Sequence, residues 1–356
     1  MKKIEGWTEE DLVWYWFSNI PGVGLRTRWK LLEGFSDVFR IWEAGKEDLK
    51  KWIPARQAIL LTDSRKAYNP EPSIELLRKT GTSFIHWHSP DYPSKLRHIY
   101  LPPTGLYLRG RLPVENKPAL AMVGSRRASH YGKNMAGDFA RIFAESGIQI
   151  ISGMAAGVDT ESHWGALKGG GYTAGILGGG IDTIYPKGNF NLYYEMYDRG
   201  GVISEYNIGV ANSSGLFPVR NRIISGLSDA VFLIEAGSRS GSLITADQGL
   251  DQGKEIFVLP GRITDPLSQG CNSLIAQGAV PVLGPDTILD QILNWGQLRE
   301  VTEDNKTAKE DIKTENENAV KPEHGKYILG VQEKINQKPG EMAADKETEK
   351  ILTMID

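Results

Sequence analysis

The sequence predicts an α/β protein in which a mostly parallel sheet is covered by helices, with a small all-helical domain ahead of it and a polar tail behind. Three observations carry this prediction. Between Ala119 and Ile292, short continuously apolar runs alternate with amphipathic helical patterns, as expected of strands buried on both faces. The first 75 residues repeat apolar side chains at helical spacing. From Gly296 onward the chain turns polar: residues 301–320 hold nine charged side chains and almost no large apolar ones. The expected division is therefore 1–75, 76–295 and 296–356.

In the first segment Leu12, Val13, Trp16 and Phe17 share one helical face, and Ile20-Pro21-Gly22-Val23-Gly24 breaks the helix before Trp29, Leu31 and Leu32 resume the pattern. This helix, glycine turn, helix unit resembles the helix-hairpin-helix of many DNA-binding proteins; the same turn also serves packing alone. Trp7, Trp14, Trp16, Trp29, Trp42 and Trp52 are expected in the core of this small domain. Next, Pro70, Pro72, Pro90, Pro93, Pro102, Pro103 and Pro113 punctuate the chain and hold Ser83–His86 and Gly105–Leu108 as short extended pieces, a hairpin or edge added to the main sheet. His86, His88 and His98 fit no metal-ligand spacing.

From Ala119 the alternation is regular. Strands are expected at Ala119–Val123, Ile148–Ile151, Tyr172–Leu177, Gly201–Ser204, Ala230–Ile234 and Glu255–Leu259. Helices are expected at Tyr131–Glu145, Thr160–Lys168, Phe190–Tyr197, Arg220–Leu227 and Leu243–Gln252, with a final pair around Leu274 and Val280. Such a sheet binds ligands outside the carboxyl ends of its strands, and the small-residue clusters fall there.

Each cluster couples a backbone turn to a helix start, which suits an anion. Gly124-Ser125-Arg126 lacks the Gly-x-Gly-x-x-Gly spacing of a dinucleotide site, so Arg126 becomes the donor fork for a phosphate, or else pairs with Glu205 or Asp182. Gly153 and Gly157 frame a second turn with Asp159 as the expected helix cap. Gly178-Gly179-Gly180 opens dihedrals closed to other residues and lets a ligand backbone approach, with Lys187 as a point charge and Asn189 as cap or donor beyond it. Arg220-Asn221-Arg222 is the strongest electrostatic cue; helical spacing puts the two arginines on different faces, one for ligand and one for a carboxylate or the edge. Ser240-Gly241-Ser242 offers amides and hydroxyls at another helix start.

Composition narrows the classes. Lys plus Arg number 41 and Asp plus Glu 44, a net charge of -3. Ten basic and fourteen acidic residues lie after position 295, which leaves 31 against 30 for the rest, so a near-neutral body can still present one positive face. A single cysteine, Cys271, excludes an intrachain disulfide and a thiolate metal cluster, and with no long apolar run anywhere a cytoplasmic protein outside the membrane is expected. No acid, base and nucleophile set stands out, and no cofactor is called for. Binding is the expected activity.

Taken in order, Tyr92-Pro93, Leu96–Pro103, Leu106–Gly110, Gly124-Ser125-Arg126, Ser152–Asp159, Gly178–Asn189, Phe217–Gly226, Ser240–Thr245, Pro260-Gly261 and Gly270–Ala279 resemble the DNA-processing protein A family, also called the Smf family. The resemblance implies a Rossmann-like domain that binds and protects single-stranded DNA, forms a homodimer and loads RecA recombinase during natural transformation and recombination. It also implies phosphate contacts at Gly124, Ser125, Arg126, Lys187, Arg220, Asn221, Arg222, Ser240, Ser242 and Asn272, with Gly153, Gly157, Gly178, Gly179, Gly180 and Gly241 shaping the pocket. Two departures stand out. Glu205-Tyr206-Asn207-Ile208-Gly209 replaces the family's Glu-x-Pro-x-Gly, and the tail is too poor in apolar residues for the winged helix that ends many members. Ile288, Leu289, Ile292 and Leu293 repeat at helical spacing near Leu283–Leu293 and serve either a dimer face or the monomer core. Two other classes remain open: a phosphoribohydrolase-like enzyme using Glu161, Glu205 or Glu235, though its Pro-Gly-Gly-x-Gly-Thr signature is absent, and an adaptor that acts through proteins alone.

Overall fold

The computed structural model describes residues 3–292. Six helices come first: α1 (Glu9–Ser18), α2 (Leu25–Phe35), α3 (Val38–Glu43), α4 (Lys46–Leu49), α5 (Ala55–Lys66) and α6 (Glu71–Lys79). A capping box starts α1, where the Thr8 hydroxyl accepts from Asp11 N and the Asp11 carboxylate accepts from Thr8 N. The turn after α1 places Gly22 at a φ of 74°, a conformation open to glycine. Arg28 folds inward beneath this turn, its guanidinium buried and donating to Ile20 O. Trp14 and Trp16 are buried as expected, whereas Trp52 is 48% exposed, its ring lying over Gly34 on the outside of the bundle.

The helical unit is joined to the sheet by specific polar contacts. Trp29 Nε1 donates to Pro102 O (2.8 Å), Tyr107 Oη to Asn19 Oδ1 (2.8 Å) and Asn207 Nδ2 to Tyr15 Oη (2.7 Å). His86 Nε2 meets Asp11 Oδ1 at 3.0 Å while its ring stacks on Trp14, and His88 Nδ1 meets Glu10 Oε1 at 3.1 Å, so both histidines bind the two units together.

Among the described residues the sheet has nine strands: β1 (Ser83–His86), β2 (Gly105–Gly110), β3 (Ala119–Gly124), β4 (Gln149–Ser152), β5 (Thr173–Gly180), β6 (Gly201–Tyr206), β7 (Ala230–Ile234), β8 (Glu255–Val258) and β9 (Val280–Pro281). Their order is β1-β2-β6-β5-β4-β3-β7-β8-β9. The β1–β2 and β2–β6 pairs are antiparallel, the added hairpin foreseen from the prolines, and all the others are parallel. Between the strands run α7 (His130–Glu145), α8 (Val158–Lys168), α9 (Phe190–Arg199), α10 (Leu216–Gly226), α11 (Gly241–Asp251) and α12 (Gln269–Ala276). The chain moves outward from β3 to β6 and then returns to the other side of β3 at β7, which makes β3/β7 the switch point of a Rossmann-like sheet.

The strands are apolar throughout because both faces are covered. On β3, Ala121 and Val123 pack with Ile223, Leu227 and Ala246 beneath α10 and α11, while Leu120 and Met122 pack with Phe139 and Phe143 of α7. Residues 286–292 are helical, and Ile288 and Ile292 are buried against the α7 side of the sheet, with Leu289 partly so. The apolar repeat read as a possible dimer face therefore closes the subunit's own core; Leu293 and the tail lie outside the described residues.

His163 on α8 is wholly buried, with Nδ1 2.6 Å from Thr173 Oγ1, whose own proton goes to Ile150 O. The imidazole must therefore hold its hydrogen on Nδ1, and burial pushes its pKa down from 6.5 to about 3. Below pH 6.5 the unfolded chain takes up a proton that the folded chain refuses until about pH 3. Stability should accordingly fall by about 1.4 kcal/mol per pH unit through that window. Urea unfolding across it should show this slope, and His163→Leu should flatten it.

Candidate nucleic-acid interface

The carboxyl ends of β3, β4 and β5 and the start of α10 line a shallow cleft, with Arg126, Gly153, Gly178, Tyr185, Phe217 and Arg220 among its lining residues. Its floor holds two buried groups of opposite charge, Arg220 and Asp159, each bonded to the backbone. Arg220 enters from α10, 4% exposed, and its Nη1 donates to Gly153 O (2.7 Å), just past β4, and to Ile176 O within β5. Asp159 accepts from Gly153 N (3.1 Å) and Ala155 N (3.2 Å). The helix α8 begins at Val158, one residue before Asp159, with Gly157 at its N-cap, so Asp159 holds the turn rather than capping the helix. Burial pushes the Asp159 carboxyl up and Arg220 opposes it; burial likewise pushes the Arg220 guanidinium down to about 10, opposed by Asp159. Both directions express one cost, desolvation, and Arg220 remains charged at neutral pH.

The wall is different in character. Arg126 is exposed and lies over the Phe217 ring at 4.9 Å, and Tyr185 packs on the other part of that ring at 5.8 Å. It pairs with neither Glu205 nor Asp182. Lys187 is exposed and free of any ion pair among the described residues. Beside it Phe190 and Tyr194, 52% and 55% exposed, pack at 4.7 Å. Cations and aromatic faces thus line one rim.

Several expected phosphate ligands are committed elsewhere. Arg222 is 6% exposed; its Nη2 sits 2.8 Å from both carboxylate oxygens of Glu205, and Nε donates to Leu101 O at 3.1 Å. It is the arginine that braces a carboxylate, held between Glu205 on the interior strand β6 and Leu101 O. Asn272 clamps Gly261 through N–H and C=O at 3.2 and 3.1 Å. Asn221 faces Gly241 O (3.4 Å), and the Ser240 hydroxyl, 2.8 Å from Ser242 Oγ, caps its own helix. Asn189 ties Thr160 to Met154 O. Ser125 donates its amide to Glu235 O at 2.7 Å.

The glycines act mainly by close approach of the chain to itself. A Cβ on Gly124 would overlap Ile234 O, and Gly157, at a φ of 82°, lies against Ser125 O. Gly153 makes room for Arg220 and Asp159. Gly178, Gly179 and Gly180 admit Phe217, Asn212 and Asn207, so the three-glycine run receives the chain's own loop where a ligand was expected. Nothing lies within 4 Å of a Cβ on Gly241. Sequence reasoning passed over Arg127, Arg239 and Arg262, three exposed cations after β3, β7 and β8. Their position directly beyond apolar runs was the available signal.

With this geometry in hand, residues 83–293 match the family profile described as DNA recombination-mediator protein A. The chain belongs to that family. This recombination-mediator chain is 36% identical over 270 residues to Protein Smf of Escherichia coli K12, covering 73% of itself and 72% of the relative. It is 40% identical over 198 residues to DNA processing protein DprA of Streptococcus pneumoniae, 56% and 70% of the two chains. The X-ray structure of the pneumococcal protein superposes with a TM-score of 0.71 at 31% identity, covering 82% of this chain and 99% of that one. DNA processing protein A from Helicobacter pylori, described for its single-stranded DNA binding mode, superposes with a TM-score of 0.55 at 30% identity, covering 60% and 96%. The family is one of mediators rather than catalysts. Among the described residues no helix is long and apolar enough to cross a membrane.

The assignments of Arg222 and Gly241 can be checked together by urea unfolding. Arg222→Ala should cost about 3 kcal/mol by stranding a buried carboxylate. Gly241→Ala, at an open helix start, should change stability by less than about 1 kcal/mol.

Proposed function

We propose that this chain binds single-stranded DNA along the carboxyl edge of its sheet and, as a recombination mediator, passes it to RecA recombinase during natural transformation. The observation that carries the reading is the stack of Arg126 on Phe217, itself packed by Tyr185, beside Lys187, exposed with no ion pair among the described residues, and the exposed Phe190. A cation track interleaved with ring faces suits a flexible strand, whose phosphates meet charge while its unstacked bases meet aromatic surface. A duplex hides those base faces. The single-stranded DNA binding of the Helicobacter pylori relative supports the same reading.

In this proposal Arg126 and Lys187 contact phosphates, while the Ser125 amide stays bonded to Glu235 O and shapes the turn that carries Arg126. Arg220, Asn221 and Asp159 hold the floor in shape, and Arg222 fastens α10 to β6. A cytoplasmic setting and a homodimer belong to the proposal as well, with Leu283, 86% exposed, as the apolar side chain available to a second copy. Sedimentation at micromolar concentration checks the dimer, and a purely monomeric profile would remove it.

Fluorescence anisotropy across a salt series tests the main reading. Wild-type protein should favour single strands over duplex of the same sequence. Arg126→Ala and Lys187→Ala should each weaken binding to all sequences alike and lower the salt slope by about 0.7 per lost contact. Equal affinity for both forms would sink the reading.

A further inference from the structure

We propose that the single-stranded DNA track continues past the Arg126 cleft, across the carboxyl ends of β7 and β8, on Arg127, Arg239, Arg262 and Ile263. The inference rests on the DNA-binding reading above and extends it to a second half of the sheet edge. The cleft occupies only the β5, β4 and β3 positions, whereas parallel strands continue through β7 and β8. At about 4.8 Å per strand, the cleft spans roughly 10 Å and the full edge from β5 to β8 roughly 19 Å.

The loops beyond these strands form one continuous surface. Ser125 N donates to Glu235 O at 2.7 Å, which ties the Arg126–Arg127 loop to the end of β7. Asn221 Nδ2 faces Gly241 O at 3.4 Å, joining the cleft helix α10 to the start of α11 just after Arg239. Gly270 N donates to Ala236 O at 2.8 Å, and a Cβ on Gly237 would come within 3.4 Å of Pro266 O. The β8–α12 loop that carries Arg262 and Ile263 is thereby held against the β7–α11 loop that carries Arg239. The β3/β7 switch point lies in the middle of this run.

Unmatched cations are denser on this edge than on the opposite one. At the amino ends of the strands, Lys95 is matched with Asp229 at 2.9 Å, Arg141 with Glu145 at 2.7 Å and Arg199 with Glu195 at 3.5 Å, while Arg111, Lys117 and Lys168 are exposed without an ion pair among the described residues. At the carboxyl ends, Arg126, Arg127, Lys187, Arg239 and Arg262 are all exposed, and none forms an ion pair among the described residues. A denser accumulation of unmatched cations attracts a polyanion. Next to Arg262, Ile263 is 89% exposed, an apolar side chain placed where a base face can cover it.

The test compares a short oligothymidylate of about 5 nucleotides with one of about 20, lengths that bracket the site sizes of single-strand binders. Full-length wild-type protein should bind the long strand at least tenfold more tightly. The double variant Arg239→Ala/Arg262→Ala should bind the short strand as wild type does, lose most of the gain with length, and lower the salt slope on the long strand by about 0.7 per arginine. Ile263→Ser should weaken binding to the long oligothymidylate but not to an abasic strand of the same length. Arg239 and Arg262 form no ion pair among the described residues, so unchanged thermal unfolding verifies the fold. Equal losses on both lengths, or no loss on either, overturn the extended track. The parent reading fails separately, when Arg126→Ala binds both lengths as wild type does.

Discussion

Everything at the carboxyl edge depends on where Arg220 is held. Its guanidinium lies beneath the surface against the carbonyl of Gly153, just past β4, and that of Ile176 within β5, with Asp159 gathering the turn amides beside it. Opposite charges so fully removed from water contribute little net stability, because desolvation consumes most of their Coulombic attraction. Their effect is geometric. Two strands, one turn and α10 can satisfy their buried polar groups only in this arrangement, and α10 carries Phe217, the ring on which Arg126 rests. The exposed cation is therefore positioned by a buried one.

The same economy appears in the glycines of β5. Their missing side chains let Phe217 and Asn212 settle against the strand, which brings an aromatic wall from a distant part of the sequence over the strand end. Small residues here set the depth of the rim indirectly, through the loop they admit. Arg222 performs a comparable task lower down, where its contacts with Glu205 and Leu101 O fix α10 to both β6 and the segment before β2.

Much of the fold was legible because burial on both faces makes each parallel strand an unbroken apolar run. Ala230–Ile234 is found over the residues expected, and most other boundaries shift by one to three residues. Helix α10 starts four residues early because Pro218 is accommodated in its first turn, where no amide partner is needed. The site was legible in location but not in roles. Arg126, Arg220 and Arg222 are chemically identical and sit in similar polar clusters; which one faces solvent depends on helix rotation and on carboxylates brought from other strands. Arg239 and Arg262 carry no motif at all, and only the strand order places them beside the rest. Trp52 shows the same limit, since burial of a large ring depends on which side of the bundle is covered.

Glu235 ends β7 in a left-handed conformation at a φ of 51°, and its carboxylate accepts from Ser129 N and the Ser129 hydroxyl at the start of α7. With Asp159 on the β4 turn, two of the nests that read as phosphate cradles in the sequence are already occupied by the chain's own carboxylates. A compact anion such as a mononucleotide finds those seats taken. The molecule instead offers its positive charge on flexible side chains spread along a ridge, a geometry that rewards length and continuity in the ligand over a precise fit to any single phosphate.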